Sequence, residues 1–367
     1  MDIELIREAQ EALAEHGSQS KAAKALGIAR SSLQNRLLKA AQTGNDGLAF
    51  KPVPFGHSVK GVSTYYDRDG VPKGQWIKTR TNEVNIEDLV EYFRDAFTSF
   101  DGLATPKETE YTSDVSLLTI YPLPDIHHGL LSWGKESGAD WDISIGREVV
   151  QTVIAQLISQ SRNSKTAILL NLGDFFHADD HKNMTPRSGH VLDVDSRYMK
   201  MITTGVDLMI SLVEMALTKH ETVIVRNLPG NHDMTACVAL TVALSAYYSK
   251  NKRVVIDTDP SEFFFYSFGT TLIAANHGHR LKPTDMAIKM ACEKPQEWGK
   301  SKYRYFYFGH IHHDTVKEVG NVRCESFQTV VAKDAHAANG GYMSGRSMTA
   351  ITIHETRGEI GRHKVNL

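Results

Sequence analysis

Cysteine is scarce in this chain, and its scarcity is the first constraint on what the protein can be. Among 367 residues only Cys237, Cys292 and Cys324 occur, far apart and with no C-x-x-C pair. That spacing excludes a disulfide scaffold or a zinc ribbon and fits buried thiols in a reducing compartment. Long apolar runs are missing as well. No stretch of about eighteen apolar residues appears, and residues 1–15 form an acidic amphipathic segment without the apolar centre of a signal peptide; a cytoplasmic protein with no membrane span is expected. Excess charge of either sign is also absent, with 41 Lys and Arg against 43 Asp and Glu, a formal net charge of -2. A protein coated in basic charge is thereby excluded, and any nucleic-acid contact has to come from a local patch. No internal repeat or low-complexity tract occurs. What remains, 41% hydrophobic and 23% charged side chains, suits a globular chain with a sizeable core and room for two or three domains.

One local patch lies near the N-terminus. Helices are expected over 3–15, 21–26 and 31–40, because Ile6, Ala9 and Leu13 set an inward stripe at helical spacing and Gly17 and Gly27 sit where helices stop. All five acids of the segment (Asp2, Glu4, Glu8, Glu11, Glu15) precede the bases Lys21, Lys24, Arg30, Arg36 and Lys39, so its second half is a cationic surface. The run Lys21-Ala-Ala-Lys-Ala-Leu-Gly-Ile-Ala-Arg-Ser-Ser-Leu-Gln-Asn-Arg-Leu resembles the Fis-type helix-turn-helix, in which an A-A-x-x-L-G-I core precedes an S/T-L-x-x-R-L recognition helix. The resemblance implies DNA binding, with Ser31, Ser32, Gln34 and Asn35 toward base edges and Lys21, Arg30, Arg36 and Lys39 on phosphates. A trihelical unit used for dimerisation or docking is the alternative.

A linker at 43–47 leads into strand-like stretches at 59–66 and 75–79 around Asp67-Arg68-Asp69-Gly70, a hairpin pattern. Tyr65, Tyr66 and Trp76 could stack on bases there, although hairpin aromatics more often pack on a neighbour. A helix is expected over 85–100. From residue 115 the pattern changes. Strands at 115–121, 166–172, 222–227 and 253–257 alternate with helices at 145–161, 193–220 and 234–249, and strand-rich stretches follow at 263–275, 303–308 and 315–331. Such alternation argues for an α/β core whose loops carry function. The expected domains are 1–42, 43–112 and 113–367.

Five polar motifs stand where these apolar strands run out: Asp125-Ile126-His127, Gly173-Asp174, Gly230-Asn231-His232-Asp233, Asn276-His277-Gly278-His279 and Gly309-His310-Ile311-His312. Carboxylate, carboxamide and imidazole groups suit two hard-to-borderline divalent metals and not a soft thiolate site. In this order the motifs resemble the calcineurin-like metallophosphoesterases over residues 115 to 335. The resemblance implies a four-layer α/β sandwich in which Asp125, His127 and His312 hold one metal, Asn231, His277 and His310 the other, and Asp174 bridges both. It also implies that His232 faces the phosphate and assists the leaving oxygen, with Asp233 orienting it. Either histidine of His277-Gly278-His279 fits as a ligand; alignment to the family favours His277, which leaves His279 near the substrate. His128 belongs to a second shell. Gly173-Asp174-Phe175-Phe176-His177 is similar to the G-D-L-F-H of the DNA double-strand-break repair nucleases, which implies a substrate contact for His177. Lys182 and Arg187, in the polar stretch that follows, could track a phosphate backbone.

The expected protein is thus a cytoplasmic enzyme with a helix-turn-helix and a dinuclear phosphoesterase domain, a manganese-dependent nuclease acting on DNA. Iron, zinc and nickel also suit the ligand set. The alternatives are a phosphatase or cyclic-nucleotide phosphodiesterase whose N-terminal helices serve oligomerisation, and a DNA-binding regulator that keeps the phosphoesterase fold as a scaffold. A homodimer is compatible with a helix-turn-helix, and an ATPase partner of the kind the repair nucleases use stays open.

Overall fold

A computed structural model describes residues 3–16, 19–29, 32–33, 35–37, 57–66, 72–81 and 112–367. They fall in two compact units, Met1–Asn85 and Ile86–Leu367. The linker at 43–47 and the helix expected over 85–100 lie outside the described residues.

In the first unit, α1 (Ile3–His16) and α2 (Gln19–Ala25) precede helical residues at 32–33 and 35–37. Ala9, Ala12, Ala22, Ala23 and Leu33 are buried together, with Leu13, Leu26, Ile28 and Leu37 packed around them. Alanines at the crossing let the short helices approach closely enough to bury Leu33 completely. Gly27 takes φ 64°, a left-handed turn that glycine adopts without a steric cost, and the Ile28 N–H then bonds back to the Ala23 carbonyl. Two strands, β1 (His57–Tyr66) and β2 (Pro72–Thr81), pair antiparallel with Val62 opposite Ile77. The side chains of Tyr65, Tyr66 and Trp76 lie outside the described residues.

The second unit is built on two sheets. One has six strands in the order β13-β12-β3-β4-β5-β6, and the other five in the order β10-β11-β9-β8-β7. The first comprises β3 (Asp114–Leu123), β4 (Ser164–Asn171), β5 (Thr222–Asn227), β6 (Val254–Asp257), β12 (Ser347–His354) and β13 (Gly358–Asn366). The second comprises β7 (Phe264–Phe268), β8 (Thr271–Ala275), β9 (Tyr303–Phe308), β10 (Thr315–Val319) and β11 (Val322–Ser326).

The two-residue period of the strands sorts their side chains into layers. On β4, Ala167 and Leu169 face the helices α3 (Ile143–Gln160), α4 (Tyr198–Leu217) and α5 (Ala236–Tyr247), whereas Ile168 and Leu170 meet Ile273, Tyr305 and Tyr307 of the other sheet. On β8, Ile273 and Ala275 point to that shared core, while Leu272 and Ala274 pack under α6 (Pro283–Glu293) on Met286 and Met290. The result is the expected four-layer sandwich: helices, sheet, sheet, helix. The fold class is thus α/β in the second unit, with helices at the start of the first. Among the described residues no helix is long and apolar enough to cross a membrane.

Two differences from expectation have physical causes. Helix α4 starts at Tyr198 and not at 193, because the carbonyl of Asp193 accepts the Leu131 N–H and the N–H of Asp195 bonds to Gly129; the preceding stretch is tied to the first motif loop. The C-terminal hairpin β12–β13 was not anticipated. Strand β12 pairs antiparallel with β3, Ile351 opposite Ile120, and is buried on both faces.

Candidate metal centre

Strands β3, β4 and β5 are parallel neighbours, as are β8 and β9, and each of the five motif loops leaves the carboxyl end of one of them. That end is where open α/β sheets place ligands. The loops bend sharply to bring their polar groups inward. Asp125, His127, Asp174, His310 and His312 have φ of 47°, 43°, 52°, 70° and 55°, left-handed conformations that cost non-glycine residues free energy and concentrate at functional sites. Glycine is required in the motif loops for a second reason. A Cβ on Gly230 would lie 1.9 Å from Asp174 Oδ1, and one on Gly173 (φ 93°) would lie 2.7 Å from His277 Nδ1.

Three overlapping groups of side chains converge there, one of them His127, His177 and His232 and the other two each holding a carboxylate. The ligand atoms of Asp125, His127 and His312 lie within 4.8 Å of one another, and so do those of Asp174, His277 and His310. His127 Nε2 and His312 Nε2 are 3.2 Å apart, and His312 Nε2 is 3.4 Å from Asp125 Oδ1. In the second group His277 Nε2 is 3.0 Å from both Asp174 Oδ2 and Asn231 Oδ1. Bonds of about 2.1 Å to one cation would separate adjacent ligands by about 3.0 Å in octahedral and about 3.4 Å in tetrahedral geometry, so the spacing fits a metal in each group. Two imidazole nitrogens at 3.2 Å need a shared proton or a shared cation, which adds to the fit.

The surroundings preset these groups. Asp125 is fully buried, and its two oxygens accept the His310 N–H at 3.0 and 2.9 Å, while its carbonyl takes the Thr329 hydroxyl at 2.7 Å. His277 Nδ1 lies 2.9 Å from the Leu172 carbonyl; a carbonyl only accepts, so Nδ1 carries the proton and Nε2 is left toward Asp174 and Asn231, the usual support of a metal-binding histidine. His279 offers no such arrangement. It is half-buried with Nδ1 unpartnered, and burial, followed by the nearby His277, pushes its pKa down to about 4. Burial also acts to lower His277, but the Asp174 carboxylate outweighs it and holds the imidazole up at about 9. For Asp174 burial acts upward and His277 wins, so the carboxyl is held well below its ordinary range. Burial, with the neighbouring His232 next, pushes the pKa of His127 well below its ordinary value.

His232 is half-buried at the edge of this cluster. Its N–H donates to Asp174 Oδ1 at 2.7 Å, and its Nδ1 donates to the His177 carbonyl at 2.9 Å, which leaves Nε2 as the free end of the ring. Asp233 does not orient it. The Asp233 carboxylate is fully buried and accepts the N–H groups of Asp174, Phe176 and Gly230 at 3.1, 3.1 and 2.9 Å, so it joins the second and third motif loops through their backbones. Burial, with the Asp174 charge behind it, pushes this carboxyl up to about 7. His177 is buried as well: Nδ1 lies 3.2 Å from His127 Nδ1, Nε2 has no partner, and the ring stacks on His232 with centroids 5.5 Å apart. His128 turns away from the cluster to Thr204 at 2.8 Å on α4. Arg187 is exposed in the loop beyond, and Lys182 pairs with Asp180 at 3.8 Å.

On the helical unit, Lys21, Ser32 and Asn35 are exposed, whereas Arg36 is turned to Glu8 at 3.2 Å and ties the third helix to α1. Arg30, Ser31 and Gln34 lie outside the described residues, as does Lys39. Sequence reasoning missed the Leu172 and His177 carbonyls and the Thr329 hydroxyl. Backbone acceptors have no residue signature, and Thr329 reaches Asp125 only across the sheets.

Residues 10–39 match the sequence profile described as "Bacterial regulatory protein, Fis family". Among curated proteins no match is found. Similar solved structures include a predicted phosphoesterase from Streptococcus pneumoniae TIGR4, at 12% identity and TM-score 0.29, covering 69% of this chain and 100% of that one. Chaetomium thermophilum Vps29 gives 11% identity and TM-score 0.31, with 68% and 97% covered. A Zn2+ complex of Entamoeba histolytica Vps29 gives 12% and 0.27, with 68% and 98% covered. At these values the site has to be read from its own residues.

Proposed function

We propose that the larger unit is a dinuclear-metal phosphodiesterase and that the whole chain is a DNA nuclease. The observation that carries the reading is the pair of adjoining ligand groups, Asp125–His127–His312 and Asp174–His277–His310, each with its ligand atoms within 4.8 Å. Asp125, His127 and His312 are assigned one cation, His277, His310 and Asn231 the other, and Asp174 the bridging position. The donor set, oxygen and imidazole without thiolate, suits manganese, and also iron, zinc or nickel. Two dications there would clamp a phosphate and lower the pKa of a shared water.

The chain's own groups do the rest. Asn231 contributes an oxygen without charge, which leaves the centre net positive toward an anionic ester. His232, anchored through Nδ1, presents Nε2 as the atom that gives a proton to the departing alkoxide, a demand that a phosphodiester makes. Asp233 holds the loop that carries His232 and is a positioning group. DNA is the favoured substrate because the Fis-type unit offers a DNA-binding surface to the same chain, with Lys21, Ser32 and Asn35 exposed on it; contacts with the substrate are assigned to His177, His279 and Arg187.

The test is purified protein with manganese, given linear and circular, single- and double-stranded DNA beside a chromogenic bis-phosphodiester, with Asp174→Ala as control. Metal-dependent DNA cleavage that Asp174→Ala lacks is the expected result. Intact DNA with turnover of the small diester would overturn the nuclease and keep the phosphodiesterase.

A further inference from the structure

A cavity of about 270 Å³ lies beside the metal centre, and His277 is common to both: it belongs to the Asp174–His277–His310 ligand group and also lines the cavity. The other walls are apolar at Pro229, Phe263 and Leu281 and polar at Asn276 and His279. The volume is just under the range that takes whole drug-sized molecules, so it has room for one ring system and little else. One wall is preset from the core. Arg226 on β5 is 1% exposed; its guanidinium donates to the carbonyls of Asp259 at 2.7 Å and of Ser261 and pairs with Asp257 at 3.1 Å, which holds the segment leading to Glu262 and Phe263.

Two polar atoms in the cavity walls lack partners. Asn276 is 5% exposed, and its backbone N–H reaches the Tyr307 carbonyl at 3.2 Å, but the side-chain Oδ1 is buried without a hydrogen bond; His279 Nδ1 is in the same state. A buried acceptor left unmade is costly, so an occupant that supplies an N–H is favoured. The charges lining the cavity cancel. Arg280 pairs with Glu262 at 3.0 Å, and Lys289, 4.4 Å from the centre of the Phe263 ring, pairs with Glu293 at 2.8 Å. His277 has its own counter-charge in Asp174 at 3.0 Å. These walls therefore suit a neutral ring with apolar faces and a polar edge. A nucleobase is such a ring, and a carboxamide pairs with adenine by accepting from N6 and donating to N7.

We propose that this cavity receives the base of the nucleotide whose phosphate is held at the metal centre, with the Asn276 carboxamide on the edge of the base; the place of the phosphate rests on the phosphodiesterase reading, that of the base on the cavity alone. A base seated in a cavity has left its stack, so the nucleotide held there is unpaired.

Calorimetry on the full chain in manganese compares adenosine 5′-phosphate with ribose 5-phosphate, the same phosphorylated sugar without the base. Wild type should bind the nucleotide roughly tenfold more tightly or better, the gain of one bidentate base contact. Asn276→Leu should bring the two ligands to within about twofold of each other, and Leu281→Trp, which fills the cavity from another wall, should do the same. Equal affinities in wild type overturn the pocket, and so does a base preference that survives in folded Leu281→Trp. If neither phosphate binds, the metal-centre reading fails, and adenosine against ribose then decides the cavity by itself: a preference for adenosine that Leu281→Trp abolishes keeps it, and no preference overturns it.

Discussion

His232 and Asp233 are consecutive, polar and close to the metal cluster, yet they hold different positions. His232 is anchored at Nδ1 by a carbonyl and has a free Nε2, whereas Asp233 spends both oxygens on three backbone N–H groups. Replacing His232 by alanine should therefore cost about 10²–10⁴-fold in diester turnover, the range for one positioned acid, with metal content and stability nearly unchanged. Turnover and bound metal measured on the same preparation decide it; a variant that keeps its rate removes His232 from the chemistry. Asp233→Ala should behave oppositely. Three buried donors would lose a charged acceptor, so the metal-free protein should lose on the order of 3 kcal/mol or more, read as a lower urea midpoint, and metal binding should fall with it. The ligands were legible because imidazole and carboxylate at a strand end are a chemical signature. The work of Asp233 was not, since its partners lie 3, 57 and 59 positions away and are backbone groups.

Between elements, the junctions that align the strands decide how accurately the loops meet. At one of them, His220, just before β5, is fully buried; its Nδ1 donates to the Ser164 carbonyl at 2.8 Å, and Nε2 lies 2.9 Å from the Tyr121 hydroxyl. The ring thus joins β3, β4 and β5, the strands that carry Asp125, Asp174 and Asn231. Burial pushes its pKa from the ordinary 6.5 down to about 4. Above pH 6.5 both folded and unfolded chains carry it neutral and it has no effect on the pH profile. As pH falls from 6.5 toward 4 the unfolded chain takes up the proton and the folded chain does not, so stability drops by up to about 3 kcal/mol, and this group adds nothing further below that window. Urea unfolding in chelator at both ends of the window should show His220→Gln weaker than wild type at neutral pH but with a smaller loss on acidification. Equal losses would clear His220 of the effect. Strand β5 coincides with the span expected from its apolar run, whereas β12 and β13 went unforeseen. Ser347-Met-Thr-Ala-Ile-Thr-Ile-His is half polar, and only its position between β13 and β3 buries Thr349 and Thr352 along with the isoleucines.

At the scale of the whole molecule, the two compact units suggest a division of labour that truncation can test. Removing residues 1–42 should raise the duplex-DNA concentration needed for half-maximal binding at least tenfold while leaving bis-phosphodiester turnover within about twofold, because base and phosphate contacts would go and the metal ligands would stay. Gel shift and turnover on the same protein check it, and an equal loss in both would mean that the segment is structural. By itself the sequence determined the α/β alternation, the helix-turn-helix rhythm of the first forty residues, and the kind of chemistry the motif loops could do, because hydrophobic period and ligand type are properties of neighbouring residues. The tertiary structure decided which of His277 and His279 has its Nδ1 tethered and its Nε2 beside Asp174 and Asn231. It also decided that Arg36 turns to Glu8 and that Asp233 binds backbone. Each of those outcomes depends on which distant segments the two sheets bring to their common carboxyl end, and short-range patterns hold no record of that.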